Sequence, residues 1–366
     1  MRPPVRAASS PALQQSRPFV HSRALFSLLL VFLAVVLFVS VTLAITIGPV
    51  PIPFFTVWKI ALDKVIHLKL GEWSVPQEQI VWLVRFPRVL LAIFVGGGLA
   101  IVGAAMQATV RNSLADPYVL GISSGASVGA SIVILFGNWL PFRLYAISIA
   151  AFLGSSVAFV LVFLLARGRA GQLSPHRLIL SGIAVSYLLS AVTSMLTYLA
   201  PDEGLRRVMF WMMGSLSGAQ WTDLTLPALA LSCGVVYLVL QGRALNALVM
   251  GEETAITLGV DTNRLRKQLF VVVSFLTGIV VAVSGSIGFV GLMMPHIVRL
   301  IVGSDHRRLL PVCVFAGAIF LIWMDVAARM VLAPQELPIG VLTSIIGAPF
   351  FIWLMNHKKQ KGVLGD

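Results

Sequence analysis

Residues 268–302 read QLFVVVSFLTGIVVAVSGSIGFVGLMMPHIVRLIV, 35 residues whose only ionisable side chains are His296 and Arg299. As one α-helix the run would extend ~53 Å at ~1.5 Å per residue, far beyond the ~30 Å hydrocarbon core of a bilayer. Gly285, Gly288 and Gly291 punctuate its middle. The spacing therefore predicts two short helices joined by a tight glycine-rich turn. That reading decides the fold, because it sets the parity of the whole chain.

Elsewhere, runs with little or no charge and of spanning length occur at 24–47, 89–110, 117–142, 144–166, 178–200, 224–242, 309–324 and 337–355. Two more from the 268–302 stretch make ten, which places both termini on one side. Lys358, Lys359 and Lys361 then join the basic N-terminal tail in the cytoplasm, where positive charge is favoured. The other inner loops are basic too: Arg167, Arg169 and Arg177; Arg243, Arg264, Arg266 and Lys267; Arg307 and Arg308. Nine spans would put the lysine-rich end outside. The chain reads as an all-α integral membrane protein with ten transmembrane helices over 24–356, a disordered basic tail over 1–23 and a short cytoplasmic tail over 357–366. The tail holds Pro3, Pro4, Pro11 and Pro18 among serines and arginines, a composition that does not fold alone. The run after it exceeds the ~7–15 residues of a signal-peptide core, so it is expected to remain as the first helix.

Composition agrees. Hydrophobic residues make up 58% of the 366 and charged residues only 11%, against about 25% charged in ordinary soluble domains. The net charge of +13 does not point to nucleic acid, since the basic residues sit in short clusters between apolar runs. Cys233 and Cys313 stand alone in apolar segments, with neither metal nor disulfide spacing, and are expected to be packing residues. Residues 48–84 and 201–223 are too charged to span and read as interfacial, amphipathic pieces. Gly96, Gly97, Gly98, Gly103, Gly121, Gly125, Gly129, Gly278 and Gly285 recur inside the spans, which suggests close helix packing or broken helices along a path.

Catalytic chemistry is hard to find. No span has Asp, Glu or Lys near its centre, which argues against an ion-coupled carrier acting alone; Asp325 and Arg329 are expected at the outer interface. Gly121-Ile122-Ser123-Ser124-Gly125 matches the G-x-S-x-G pattern, but it opens a membrane helix rather than a strand-to-helix turn, so an intramembrane serine enzyme is disfavoured. There is no HExxH, CxxC or G-x-x-x-x-G-K-[ST] motif, so any nucleotide driving transport must bind another chain.

The longest inner loop, 242–267, reads GRALNALVMGEETAITLGVDTNRLRK. Leu245, Leu248, Met250, Ala255 and Leu258 recur at helical spacing, which predicts two short amphipathic helices on the cytoplasmic face. The acidic Gly251-Glu252-Glu253 step is unsuited to an anionic leaflet and fits a protein partner better.

An ordered series of motifs then resembles one family. RFPRVLLAIFVGGGLAIVGAAMQ (85–107), RNSLADPYVLGISSGA (111–126), FWMMGSLSG (210–218), LNALVMGEETAITLGV (245–260), GSIGFVGLMMPHIVRL (285–300), DHRRLLP (305–311) and LPIGVLTSIIGAPFFIWLM (337–355) are similar to the FecCD permeases of type II ABC importers. The resemblance implies ten helices per subunit and two permease subunits, identical or related, with the path between them. It also implies two cytoplasmic ABC ATPases, a periplasmic substrate-binding protein, a bacterial inner membrane and no cofactor. The cargo it implies is a ferric siderophore, haem or cobalamin, with the siderophore the commonest. Helices over 178–200 and 337–355 would wall the path. The coupling loop, about 243–266, would offer Leu245, Asn246, Leu248, Gly251, Glu252, Glu253, Ala255, Leu258 and Gly259 to the ATPases. Arg85, Arg88 and Arg329 would face outward to dock the binding protein. Outward arginines run against the positive-inside bias, so a specific use such as steering a partner is expected of them.

Overall fold

The structure, a computed structural model, describes residues 22–67, 71–137, 143–168 and 173–360. The expected N-terminal tail up to residue 21 and the last six residues of the expected C-terminal tail lie outside that set. The described residues form fifteen α-helices: α1 (Arg23–Thr46), α2 (Phe54–Ile66), α3 (Val75–Gln79), α4 (Phe86–Val110), α5 (Ile122–Phe136), α6 (Arg143–Ala166), α7 (Pro175–Tyr198), α8 (Asp202–Met212), α9 (Thr225–Leu240), α10 (Gly242–Met250), α11 (Glu252–Thr257), α12 (Thr262–Ser284), α13 (Val290–Val302), α14 (His306–Met330) and α15 (Ile339–Gln360). Seven helical stretches are long and apolar enough to cross a membrane, and α5, α13 and α15 supply three shorter apolar ones. The chain is a multi-pass helical membrane protein, and these ten segments fall where ten spans were expected. The interfacial pieces are also helical, as α2 and α8.

At the centre stands α4, nearly every residue of which is buried, as befits a helix that is hydrophobic all round. It packs on α14, α12, α13 and α9. Glycine makes this possible. Gly96 meets the backbone of Gly317 on α14, Gly103 meets that of Gly291 on α13, and on a second axis Gly125 of α5 meets Gly154 of α6. A Cβ at Gly103 would collide with the Gly291 carbonyl. Replacing Gly103 by Leu must push α13 away from α4, and overpacking of this kind costs about 1–3 kcal/mol. A lowered thermal midpoint of the purified protein would register it; a midpoint like that of the parent would show the contact to be slack.

The 268–302 run divides as its glycines suggest. Gly285 ends α12 with φ +68°, and α13 starts after Phe289, itself at φ +68°. A positive φ is uncommon for an aromatic residue; here the Phe289 ring lies against Gly347 of α15, where a Cβ would clash with it. Non-helical backbone inside a membrane bundle must find its hydrogen bonds within the protein, and this turn does. Ser215 N–H donates to Ser284 O (2.9 Å), and Ile339 and Gly340 N–H donate to Gly214 O and Met213 O (3.0 and 3.1 Å). The Tyr118 hydroxyl accepts from Ile287 N–H at 3.1 Å and donates to Ile287 O at 2.9 Å. Four breaks in the helical ladder thus satisfy one another.

Two boundaries differ from expectation, each for a local reason. Of the span expected over 117–142, residues 138–142 lie outside the described set, and the rest is α-helical only over the 15 residues of α5. Before it, Asp116 caps a short 3-10 turn by accepting from Tyr118 N–H (2.8 Å), and the Val119 carbonyl packs against Gly182, seven residues into α7. The chain therefore folds back into the bundle before α5 begins, so a helix of about 22 Å suffices. The second span, expected from residue 89 because the charge-free run begins after Arg88, instead runs unbroken from Val75 through a π-helical stretch at Ile80–Arg85. That widened turn lets the helix pass Pro87, and it carries Arg85 and Arg88 inside the helix rather than before it. Cys313 is buried as expected, whereas Cys233 is exposed.

Candidate functional site

Three constellations carry polar chemistry in an otherwise apolar molecule. The first is the segment expected to couple to the ATPases, on the cytoplasmic side of the expected topology. Gly251, at φ +127° and ψ 156°, occupies a backbone region essentially restricted to glycine and sets α11 off from α10. The sequence-derived apolar set divides across this step. Leu245, Leu248 and Ala255 are completely buried, while Met250 is 70% and Leu258 63% exposed, with Val249 and Ile256 also exposed. Gly259, at φ +80°, is exposed after α11.

The buried side of the segment is tied to the spans. Asn246 Nδ2 donates to Asp305 Oδ1 (2.7 Å), and Asn246 Oδ1 accepts from His306 N–H (2.8 Å) with His306 Nδ1 2.7 Å away. Asp305 is the N-cap of α14 and accepts from Arg307 N–H and its guanidinium. Hydrogen bonding from Arg307, aided by Asn246, holds its carboxyl down at about 2, so the cap is ionised throughout the ordinary pH range. Glu252 accepts from Thr262 Oγ1 (3.2 Å) and from the buried Arg266 (3.4 Å), whose guanidinium also donates to Leu173 O (2.6 Å). Burial would raise the Glu252 pKa, but the Arg266 charge and these hydrogen bonds outweigh it and lower it. The two glutamates expected to act together are thus separated: Glu252 faces α12, and Glu253 is exposed.

The second constellation gathers Arg85, Arg88 and Arg329. They were expected at the surface and are instead 4, 4 and 5% exposed. Arg85 donates to Ile45 O (2.7 Å), Thr46 O (3.2 Å) and Val50 O (2.6 Å), and Arg329 donates to Ala44 O (3.1 Å) and Ile47 O (3.3 Å). The last carbonyls of a helix have no partner within it, and its C-terminus attracts cations. Here Ile47 N–H satisfies Leu43 O, and the two arginines satisfy the three carbonyls that follow. Asp325, expected at the outer interface, is 1% exposed and lies between Arg88 Nε (2.7 Å) and Arg329 Nε (3.1 Å). Arg88 Nη1 also donates to both carboxylate oxygens of Glu336, at 2.9 and 3.0 Å, whose side chain is 41% exposed. Sequence reasoning missed both acidic partners, although the four-residue spacing of Asp325 and Arg329 on one helix was a usable signal.

The third constellation was not anticipated. A cavity of about 420 Å³ lies between α5 and α7, with Ser123, Ser124 and Ser127 on one wall and Ser190, Thr193, Ser194 and Thr197 on the other. Ser286 from the 285–289 turn closes one end, and Leu205, Met209 and Met212 of α8 cover the other side. The four α7 hydroxyls recur at i, i+3, i+4 and i+7, one helical face, so the pattern was present in the sequence. Ser123, the residue of the G-x-S-x-G match, sits 2.8 Å from Ser286 Oγ, a hydroxyl pair rather than a nucleophile beside a base.

A family model described as the FecCD transport family matches residues 35–357. The hemin transport system permease protein of Yersinia pestis is 39% identical over 91% of this chain and 97% of its own length. A vitamin B12 import system permease protein of Vibrio cholerae is 41% identical over 80% of this chain and 90% of its own. Among solved structures, an inward-facing metal-chelate type ABC transporter aligns with a TM-score of 0.78 and 32% identity, covering 90% of this chain and 99% of its own.

Proposed function

The chain belongs to the FecCD transport family, and from that premise we propose that it is the membrane-spanning permease subunit of an ABC importer that carries a ferric siderophore from periplasm to cytoplasm. It is a transport subunit and leaves ATP hydrolysis to separate subunits. The observation that carries the reading is the coupling segment. Its buried side is fastened to α12 through Glu252 and Arg266 and to α14 through Asn246 and Asp305. Its other side offers Met250, Ile256 and Leu258 around Glu253. An exposed apolar patch rimmed by charge suits a protein partner, and this one is wired to two spans.

Two cytoplasmic ATPases would grip that patch on a pair of permease subunits. ATP binding would draw the ATPases together, move α10 and α11 as a unit and shift α12 and α14 with them. A periplasmic binding protein would dock at the opposite end, where the arginine cluster acts at one remove: it fixes the ends of α1, α4 and α14 and presents Glu336. A bulky chelate is the cargo class suggested by the names of the haemin and vitamin B12 relatives. Haem or cobalamin would be handled by the same machine. Both termini would lie in the cytoplasm of a bacterial inner membrane.

The test is uptake into proteoliposomes holding the permease pair, its ATPases and its binding protein. ATP-dependent accumulation of a labelled ferric siderophore is expected. Accumulation on an ion gradient with the ATPases left out would instead establish a carrier acting alone.

A further inference from the structure

We infer that the hydroxyl-lined cavity between α5 and α7 is a cargo-contact wall selective for an uncharged chelate bearing N–H or O–H donors on its periphery, against one whose periphery is carboxylate. The inference rests on the permease reading and adds the substrate chemistry that the reading leaves open.

A hydroxyl has one proton and two lone pairs, so what it shows a ligand depends on where the proton goes. Thr193 donates to Leu189 O (3.1 Å), Thr197 to Ser194 O (2.9 Å) and Ser127 to Ser123 O (3.0 Å). Those protons point back into their own helices and leave lone pairs toward the cavity. Ser123 with Ser286 at 2.8 Å, and Ser124 with Ser190 at 3.5 Å, form two further pairs in which one proton is shared internally. Three of the eight lining hydroxyls thus spend their protons on backbone and two spend theirs within the pairs, while Ser194 and the other member of each pair keep a free O–H, so the wall has three neutral donors and many more lone pairs.

A carboxylate brings acceptors only. Leaving water for such a wall would exchange a full hydration shell for at most three neutral hydroxyl donors, with no cation among the lining residues to offset the charge, which is strongly unfavourable. An amide N–H or a hydroxyl finds a partner there. No basic residue lines the cavity to alter this balance; Arg206 and Arg207 border neighbouring cavities, one of them in company with Asp202 and Glu203. The thioethers of Met209 and Met212 provide a pliable apolar side that accommodates bulk without fixing one shape. A low density of neutral hydrogen bonds also suits passage, since a cargo held by charge would not leave.

The test uses the complete importer in ATP-loaded proteoliposomes with three probes: a neutral ferric trihydroxamate with peripheral amide N–H groups, its N-methylated counterpart, and haemin. The measured quantity is the ratio of the initial uptake rates of the first two, within one preparation, so that poor folding or assembly lowers both rates and cancels. In Thr193→Val/Thr197→Val the acceptor oxygens are gone and the side-chain shape is kept, and the ratio should fall about tenfold, the size expected for two neutral hydrogen bonds. Thr193→Ser/Thr197→Ser should retain the parent ratio. An identical ratio in the parent and the valine variant would overturn the inference. So would ATP-driven import of haemin with neither hydroxamate carried, and that result would leave the permease reading standing. ATP-driven import of none of the three, with labelled cobalamin not imported either, would strike the permease reading itself, whereas import of cobalamin alone would overturn the inference only.

Discussion

Replacing Asp325 by Ala is expected to leave little folded protein. Its carboxylate is 1% exposed and lies between two guanidinium groups that are themselves 4 and 5% exposed. Removing one partner of a buried ion pair costs about 3–5 kcal/mol, because the other charge stays behind unpaired; here Arg329 loses its carboxylate and keeps only carbonyl partners, while Arg88 keeps Glu336. That is a large share of the stability of an ordinary domain. Detergent-solubilised Asp325→Ala should therefore unfold well below the parent temperature or fail to accumulate in the membrane. Glu336→Gln should do far less, since that side chain is partly open to water and still accepts a hydrogen bond. A combined Asp325→Leu/Arg88→Met variant separates charge from shape. Apolar replacement of a buried pair is often neutral, so it should recover the part of the loss that comes from Arg88 and leave the part that comes from Arg329, which still lacks its carboxylate. An Asp325→Ala protein as stable as the parent would mean that Arg88 and Arg329 reach water after all.

The arginines also mark where sequence reasoning stopped. Counting charges between apolar runs assigns a side of the membrane, and it placed Arg85, Arg88 and Arg329 at one end. It says nothing about depth. For Arg85 and Arg88 depth came from the π-helical stretch at Ile80–Arg85, which has no sequence signature. The division of 268–302 was legible because Gly285 and Gly288 punctuate a run too long to cross once. The shortness of α5 was not, because it depends on Val119 packing against Gly182 on another helix. The hydroxyl wall escaped notice for a different reason: Ser and Thr interrupt hydropathy weakly and pass for helix-packing residues until their common face is seen. In the coupling loop the helical period was correct, but period alone cannot tell Leu248, fully buried, from Leu258, largely exposed.

That last distinction shapes the second large effect. The sequence treats Glu252 and Glu253 as one acidic step, and reversing both would be the obvious test of coupling. The structure gives them different work. Glu252→Lys would set a second cation beside the buried Arg266 and break its ties to Thr262, so any loss of transport would be confounded with loss of α11's footing. Glu253→Lys with Leu258→Asp alters only the exposed side, where substitutions usually change stability by less than about 0.5 kcal/mol. At a protein interface, removing a well-placed apolar anchor costs about 2 kcal/mol or more, roughly a thirtyfold loss of affinity. This variant should keep the parent's thermal midpoint, lose its hold on the ATPase subunits in co-purification and show almost no ATP-driven uptake. Glu252→Lys should show a lowered midpoint as well. The contrast is the decisive measurement: if Glu253→Lys/Leu258→Asp binds the ATPases and transports like the parent, force does not enter through this face, and α10 and α11 are no more than the brace that Asn246 and Arg266 make of them.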